Sequence, residues 1–365
     1  MTHSSGSRRR RSALLAGAAA VLTGCCAALV APAASAAAGT GLASLASLAE
    51  AKGRFFGTAT DGPELSDAAY TAILTGGEFD QLTPGNRLKW QFSEPSQGQF
   101  DFAEADREVS FGLARHMRVR GHTLVWHSQL AGWVTGLPAD QVQAAMENHI
   151  STEVGHFKGK LFAWDVVNEP FNEDGTLRAD VFSTAMGSGY IADALRTAHA
   201  ADPRAKLYLN DYNIEGINPK SDAMYNLAKS LLAEGVPLAG IGIQAHLAVQ
   251  YGFPADMTAN LRRFADLGLD VGITELDVRM PLPETAEQDA TQDLYYRNVV
   301  AACVAVRRCV GITIWDFTDK YSWVPGVFTG QGAPLPWDAN LVKKPHVYDA
   351  IVAALRAGCR ASTAR

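Results

Sequence analysis

The sequence predicts a closed barrel of eight parallel strands, each followed by a helix, the arrangement known as the (β/α)₈ or TIM barrel. From residue 55 onward, short β-rich runs alternate about eight times with longer segments of helical spacing. The short runs are apolar almost throughout, which is typical of parallel strands that helices cover on both faces. Together the units span roughly 310 residues, a length that suits one barrel of this kind.

Each unit follows from an apolar run and the segment after it. The predicted strands are FFGTA at 55, FDQLT at 79, RVRGHTLVW at 118, LFAWDVVN at 161, KLYLN at 206, IGIQA at 241, DVGITEL at 270 and VGITIW at 310. The predicted helices include SDAAYTAILTG, PADQVQAAMENHISTEVGHF, DVFSTAMGSGYIADALRTAHAA, PKSDAMYNLAKSLLAEG, MTANLRRFADLG, EQDATQDLYYRNVVAACVAV and PHVYDAIVAALRA. A doubly wound open sheet is the alternative, but no glycine-rich phosphate turn follows the first strand. We therefore expect a single domain over residues 41–358.

The N-terminal segment predicts a secretory signal peptide over residues 1–36. Four arginines, Arg8 to Arg11, precede an alanine- and leucine-rich run from Ala13 to Val30. The small residues Ala34, Ser35 and Ala36 then offer a cleavage site. We expect the mature protein to be secreted and extracellular.

Two other interpretations of the leader stay open. A membrane anchor is disfavoured because the run is rich in alanine and Pro32 interrupts it. The letters LTGC, which end at Cys25, resemble a lipoprotein processing site and would make that cysteine a lipid-bearing N-terminus. Such a protein would carry the apolar tail CAALVAPAASA, so cleavage after residue 36 is favoured. Because no later segment is apolar for the roughly 18 residues that a span needs, we expect no membrane span in the mature chain.

Composition excludes several classes of protein. Of 365 residues, 47% are hydrophobic and 19% charged, which excludes a disordered chain. The net charge is −6 and the basic cluster lies in the leader, so we expect no nucleic acid partner. The sequence has no CxxC, HExxH or paired Cys/His spacing, and we expect no metal or organic cofactor. Beyond the leader, export favours a disulfide between Cys303 and Cys309 and leaves Cys359 as the odd thiol.

Polar side chains end six of the predicted strands. Because a barrel of this kind builds its site from the carboxyl ends of its strands, these residues should share one rim. They are His122, Trp126, His127 and Gln129 on the third strand, Asn168 and Glu169 on the fourth, Asn210, Asp211 and Tyr212 on the fifth, Gln244 and His246 on the sixth, Glu275 and Asp277 on the seventh and Trp315 on the eighth.

Two glutamates on strands that face each other across the mouth indicate glycoside hydrolysis. Either Glu169 or Glu275 alone would be ambiguous, but two carboxyls about 5 Å apart suit a retaining mechanism with one acid and one nucleophile. Glu169 follows the apolar letters WDVV, which favours the protonated acid. Asp277 points to the same face of its strand as Glu275, and an intervening His246 would hold Glu275 charged.

The motifs GHTLVWHSQ, WDVVNEP, NDYN, GIQAH, GITELDV and TDKYSW, in that order, resemble glycoside hydrolase family 10, the secreted retaining endo-β-1,4-xylanases. The resemblance covers residues 41–358. It implies an enzyme that hydrolyses internal bonds of xylan, with Glu169 as acid/base, Glu275 as nucleophile, and His246 and Asp277 as support for that nucleophile. We also expect the protein to be a monomer.

The resemblance also implies which residues bind the sugars. The glycone-side contacts match Asn86, Lys89, His122, Trp126, Asn168, Gln244, Trp315 and Trp323. His127 and Gln129 belong to the same WHSQ motif, and Tyr212 matches the aglycone side. The family's disulfide matches Cys303 and Cys309.

Three departures from the family concern specificity. The chain has Gly85 where the family commonly has a glutamate that contacts the sugar at subsite −2, Asp316 where it has glycine, and Val324 where it often has arginine. A related β-glycosidase specialised for another plant glycoside is therefore an alternative expectation. A non-catalytic carbohydrate-binding protein is a weaker one, because both glutamates are present.

Overall fold

The computed structural model describes residues 43–357, which form a closed eight-stranded barrel. The barrel strands are β1 Phe55–Thr60, β2 Gln81–Pro84, β3 Arg118–Trp126, β4 Ala163–Asn168, β5 Lys206–Asp211, β6 Gly240–Ile243, β7 Asp270–Pro281 and β8 Cys309–Ile314. Each strand pairs in parallel with the next, and β8 pairs in parallel with β1, which closes the sheet. The predicted (β/α)₈ fold is thus confirmed, and the alternative of an open doubly wound sheet is excluded.

Helices surround the barrel and connect its strands. They are Leu45–Glu50, Ala68–Leu74, Trp90–Ser93, Ala103–Leu113, Gly132–Thr135, Ala139–His156, Val181–Met186, Gly189–Ala201, Pro219–Ala233, Met257–Asp266, Ala286–Ala305, Val324–Val327 and Pro345–Ala357, with a 3₁₀ turn at Glu64–Ser66. Several of these helices begin at a residue whose side chain caps the first turn. Before the longest helix, for example, the Thr285 hydroxyl accepts from the Gln288 backbone N–H while the Gln288 side chain accepts from the Thr285 backbone N–H.

Two elements differ from the sequence prediction. The single helix predicted across residues 180–201 is two helices, Val181–Met186 and Gly189–Ala201, because Gly187 has a φ of 61° that a helix does not accommodate. The sixth strand ends at Ile243, and a separate short strand, His246–Ala248, pairs with the second half of β7. His246 therefore lies beyond the sixth barrel strand, opposite Asp277.

The barrel wall is buried on both faces, which explains the nearly continuous apolar runs. All six residues of β4 are buried, and the Trp164 ring packs so closely over Gly121 that a Cβ on this glycine would lie 2.2 Å from the ring. Inside the barrel, Asp165 accepts hydrogen bonds from the Arg120 guanidinium, whose Cζ lies 4.6 Å from the centre of the Tyr208 ring. A buried ion pair therefore lies between β3 and β4.

A disulfide joins Cys303, near the end of the helix Ala286–Ala305, to Cys309 at the start of β8, with Cα atoms 5.3 Å apart. This confirms the predicted pairing. Cys359, Cys25 and the predicted signal peptide lie outside the described residues. Within residues 43–357, no helix combines the length and apolarity that crossing a membrane would require.

Candidate active site

The polar residues that end the strands meet at the carboxyl-terminal mouth of the barrel, as predicted. Glu275 lies within β7 and is buried, and its backbone N–H donates to the Gln244 carbonyl at 3.0 Å. Glu169 follows β4 in a left-handed conformation with a φ of 57°, and its N–H donates to the Asn210 carbonyl at 2.8 Å. A non-glycine residue held in this conformation costs about 1 kcal/mol or more, and such strain concentrates at functional sites.

His246 lies between two carboxylates, as predicted. Its Nδ1 is 2.8 Å from Asp277 Oδ2 and its Nε2 is 3.2 Å from Glu275 Oε2. Burial would lower the pKa of His246, but the charge and hydrogen bond of Asp277 and those of Glu275 together raise it to about 10. The imidazole is therefore protonated near neutral pH and donates from both nitrogens.

The surroundings of Glu275 favour its charged form. Burial opposes ionisation, but the charge of His122 and the hydrogen bond and charge of His246 outweigh it and lower the Glu275 pKa. The Asn210 amide donates to the second oxygen, Glu275 Oε1, at 2.7 Å. Both carboxylate oxygens thus have a donor, and the orientation of Glu275 is fixed.

Neutral donors contact the Glu169 carboxyl. The Trp126 indole N–H donates to Oε2 at 2.8 Å, and the Gln244 and Asn168 amides donate to Oε1 at 3.1 and 3.3 Å. These polar contacts differ from the apolar environment that the preceding WDVV letters suggested. His127 Nδ1 lies 3.8 Å from Glu169 Oε2, and burial lowers the pKa of His127, which favours the neutral form of this imidazole.

Side-chain amides connect the two glutamates. The Asn168 Oδ1 accepts from Asn210 at 2.8 Å and from Gln244 at 3.2 Å, which turns its amide nitrogen toward Glu169. Because Asn210 also donates to Glu275, one continuous network positions both carboxyls.

A buried lysine lies on the other side of the mouth. Lys89 donates to Gln129 Oε1 at 2.8 Å and to Asn86 Oδ1 at 3.0 Å, and its Nζ lies 5.1 Å from the centre of the Trp126 ring. Burial lowers the pKa of Lys89 more than the surrounding carboxylates raise it. His122 is also buried, and its Nδ1 lies 3.1 Å from Asp165 Oδ2.

Tryptophans form one wall of the cleft. The Trp323 indole donates to Asp277 Oδ2 at 2.8 Å, and its ring meets His246 edge-on. Trp315 meets His122 in the same way. Both tryptophans line one pocket, together with Asn86. Such aromatic faces suit the apolar faces of pyranose rings.

Tyr212 lies on the opposite side of Glu169. Its hydroxyl accepts from Arg178 at 3.0 Å, and the same guanidinium donates to the Glu169 carbonyl at 2.9 Å. The Lys220 ammonium lies 3.3 Å from the centre of the Tyr212 ring. The tyrosine and the backbone of Glu169 are therefore held by one arginine.

Sequence reasoning overlooked several residues of this site. Asp165 holds both Arg120 and His122, and its charge within an apolar strand was the signal for it. Arg178 lies in a loop without any distinguishing pattern. Among residues 43–357, no group of three or more His, Cys, Asp or Glu side chains is arranged to hold a metal ion.

Comparison with known proteins supports the resemblance. Residues 44–354 match the family Glycosyl hydrolase family 10. The chain is 52% identical over 317 residues to the endo-1,4-beta-xylanase of Agaricus bisporus, covering 86% of this chain and 95% of that protein. It is 51% identical over 318 residues to endo-1,4-beta-xylanase A of Phanerodontia chrysosporium, with coverage of 86% and 78%.

Solved structures are similar as well. Xylanase 10B from Thermotoga petrophila in complex with xylobiose gives a TM-score of 0.82 at 40% identity, covering 86% of this chain and 97% of that one. Xylanase 10C from Cellvibrio japonicus in complex with xylopentaose gives a TM-score of 0.81 at 32% identity, with coverage of 86% and 69%.

Proposed function

The chain belongs to glycosyl hydrolase family 10 and is a retaining endo-1,4-β-xylanase; from this premise we propose that Glu169 is its acid/base and Glu275 its nucleophile. One observation carries the assignment. Glu275 accepts from a protonated imidazole, His246, whereas the donors on Glu169 are an indole and two amides. A cationic donor holds a carboxylate ionised, as a nucleophile must be.

In the first step, Glu169 gives its proton to the glycosidic oxygen while a Glu275 oxygen attacks the anomeric carbon. The bond from that carbon to the leaving oxygen breaks, its electron pair stays on the oxygen, and a xylosyl ester of Glu275 forms. Asn210 and His246 fix the two oxygens of Glu275, so the attack needs little reorganisation of the carboxylate.

In the second step, water replaces the departed sugar. Glu169, now ionised, takes a proton from the water as its oxygen attacks the anomeric carbon from the face opposite Glu275. The ester bond breaks and its electron pair returns to Glu275. Two inversions give net retention of the anomeric configuration.

The substrate is xylan or a xylo-oligosaccharide, in keeping with the xylobiose and xylopentaose bound to two similar structures. We assign the glycone side to the cleft on the Lys89 side of the glutamates, formed by Asn86, Lys89, His122, Trp126, Gln129, Asn168, Gln244, Trp315 and Trp323. His127 and Tyr212 lie on the aglycone side, where the leaving sugar departs.

We also propose that the protein is exported. The predicted signal peptide, residues 1–36, would precede a catalytic domain over residues 41–358. The disulfide between Cys303 and Cys309 supports this, because such bonds persist in oxidising compartments. We expect the exported enzyme to act as a monomer.

The two roles are tested by changing the leaving group. Glu275→Ala should lower kcat/KM at least about 10⁴-fold on xylan and on dinitrophenyl β-xylobioside alike, because both need the nucleophile. Glu169→Ala should lose activity on xylan but retain the first step on the dinitrophenyl substrate, whose leaving group needs no proton. Equal losses on both substrates in Glu169→Ala would contradict its role as the acid.

A further inference from the structure

Within the proposed function, we propose that Asp61 supplies the carboxylate that Gly85 lacks and accepts a hydrogen bond from a hydroxyl of the second glycone sugar, the one at subsite −2. The family resemblance implies a glutamate at position 85, where this chain has glycine. The structure places another carboxylate beside that position, contributed by the preceding strand.

The register of the barrel puts the two residues side by side. Thr60, the last residue of β1, pairs with Pro84, the last residue of β2, and the Gly85 N–H donates to the Thr60 carbonyl at 3.0 Å. Asp61 and Gly85 are the next residues on each strand. A Cβ built on Gly85 would lie 3.0 Å from Asp61 Oδ2, so the carboxylate fills the space where a side chain at position 85 would begin.

The Asp61 carboxylate is oriented toward the sugar-binding cleft by a residue of that cleft. Its Oδ1 accepts from the Asn86 backbone N–H at 2.9 Å, and its Oδ2 accepts from the Asn86 side-chain amide at 2.5 Å. Asn86 in turn accepts from Lys89. Each carboxylate oxygen has two acceptor positions, so these bonds leave acceptor capacity for a sugar hydroxyl.

The pocket that Asp61 lines is the one formed by the two tryptophans. Asp61, Gly85 and Asn86 line this pocket together with Trp315 and Trp323. A pyranose ring against the tryptophans would therefore present its hydroxyls to Asp61. Asp61 is partly exposed there, so a substrate can reach it.

Three acids near Asp61 have raised pKa values. Burial raises the pKa of Glu64 to about 7 and that of Glu108 to about 8, and it raises the pKa of Asp316 well above its usual range. The charge of Asp61 contributes to each of these shifts. These shifts favour the protonated forms of the three acids.

The test compares substrates of two lengths. Asp61→Asn should lower kcat/KM on an aryl β-xylobioside roughly ten- to a hundred-fold, the effect of losing a hydrogen bond to a charged group. On an aryl β-xyloside, which does not reach subsite −2, it should change kcat/KM less than about twofold. Glu104→Gln is the control, because it removes a partly exposed charge that pairs with Arg107 on the nearby helix Ala103–Leu113, and it should leave both values unchanged.

Asp61 could instead act only by holding Asn86. Asp61→Asn is therefore repeated in an Asn86→Ala background, where direct contact predicts a further loss on the xylobioside. No further loss would overturn the proposal, as would equal losses on both substrates in the single variant. All the variants compared here keep both Glu169 and Glu275. The outcomes therefore do not depend on which of the two glutamates is the acid and which the nucleophile.

Returning the family's glutamate gives a second measurement. Gly85→Glu should rescue most of the xylobioside activity lost in Asp61→Ala, because it restores a carboxylate to the same pocket. In the wild-type background it should give less than about a twofold gain, since Asp61 already supplies one. A gain in the wild type as large as the rescue in Asp61→Ala would overturn the proposal.

Discussion

At the residue scale, the roles proposed for the two glutamates rest on which groups donate to each carboxyl. Glu275 accepts from His246, and Asp277 on the other side of the imidazole keeps it protonated. The protonated imidazole of His246 thus lies between the two carboxylates and donates a hydrogen bond to each. Glu169 has neutral donors and can exchange its proton during the reaction.

Asp277→Asn should move the acidic limb of the kcat/KM profile to higher pH. Removing the Asp277 charge lowers the pKa of His246, and a neutral imidazole no longer lowers the pKa of Glu275. Because Glu275 must be ionised to attack, activity is then lost at a higher pH as the solution is acidified. We expect the acidic limb to move to higher pH, as measured by kcat/KM on an aryl β-xylobioside between pH 3 and 9.

Asp266→Asn serves as the control for this experiment, since Asp266 is an exposed carboxylate at the end of the helix Met257–Asp266. Its profile should match that of the wild type. An acidic limb in Asp277→Asn that is unmoved, or that moves to lower pH, would contradict the role given to the imidazole.

At the element scale, β7 and its short partner strand build the nucleophile's support. Glu275 and Asp277 are two residues apart on β7 and point to one face, and the register of the strand His246–Ala248 sets His246 opposite Asp277. The disulfide lies at the other end of the barrel, at the start of β8. Stability and catalysis therefore depend on different ends of the strands.

Replacing both Cys303 and Cys309 by alanine should lower the free energy of unfolding by about 2 kcal/mol without changing kcat. The estimate comes from the chain entropy lost by closing a loop whose ends are six residues apart. Denaturant unfolding and xylan hydrolysis should be measured on the same preparations. A changed kcat with unchanged stability would show that the bond acts on the site instead.

The elements that sequence predicted best are the barrel strands, because their apolar runs are nearly unbroken and their polar residues mark where each ends. Prediction failed where backbone conformation decided the outcome. Gly187 breaks a helix whose residues otherwise have helical spacing, and the turn at Ala245, with a φ of 62°, separates Gln244 from the strand of His246. Neither conformation changes the hydrophobic pattern on which the prediction relied.

At the scale of the whole molecule, barrel closure brings the site together from strands far apart in the chain. The sequence predicted most of its members, since they end strands. It could not predict contacts between neighbouring strands that depend on register, such as Asp61 against Gly85 or Asp165 against His122. Position 85 shows why. The sequence has a glycine there, and only the register of β1 against β2 brings the Asp61 carboxylate beside it.

Closure also places Glu169 and Glu275 on strands across the mouth from each other, so each should act on a different face of the sugar. The most direct test is the configuration of the product formed when azide replaces the missing carboxylate, with dinitrophenyl β-xylobioside as substrate. Glu169→Ala retains the nucleophile, so azide should attack its ester and give the β-azide. Glu275→Ala should let azide attack the substrate directly and give the α-azide; the α-azide from Glu169→Ala, or the β-azide from Glu275→Ala, would contradict the assignment.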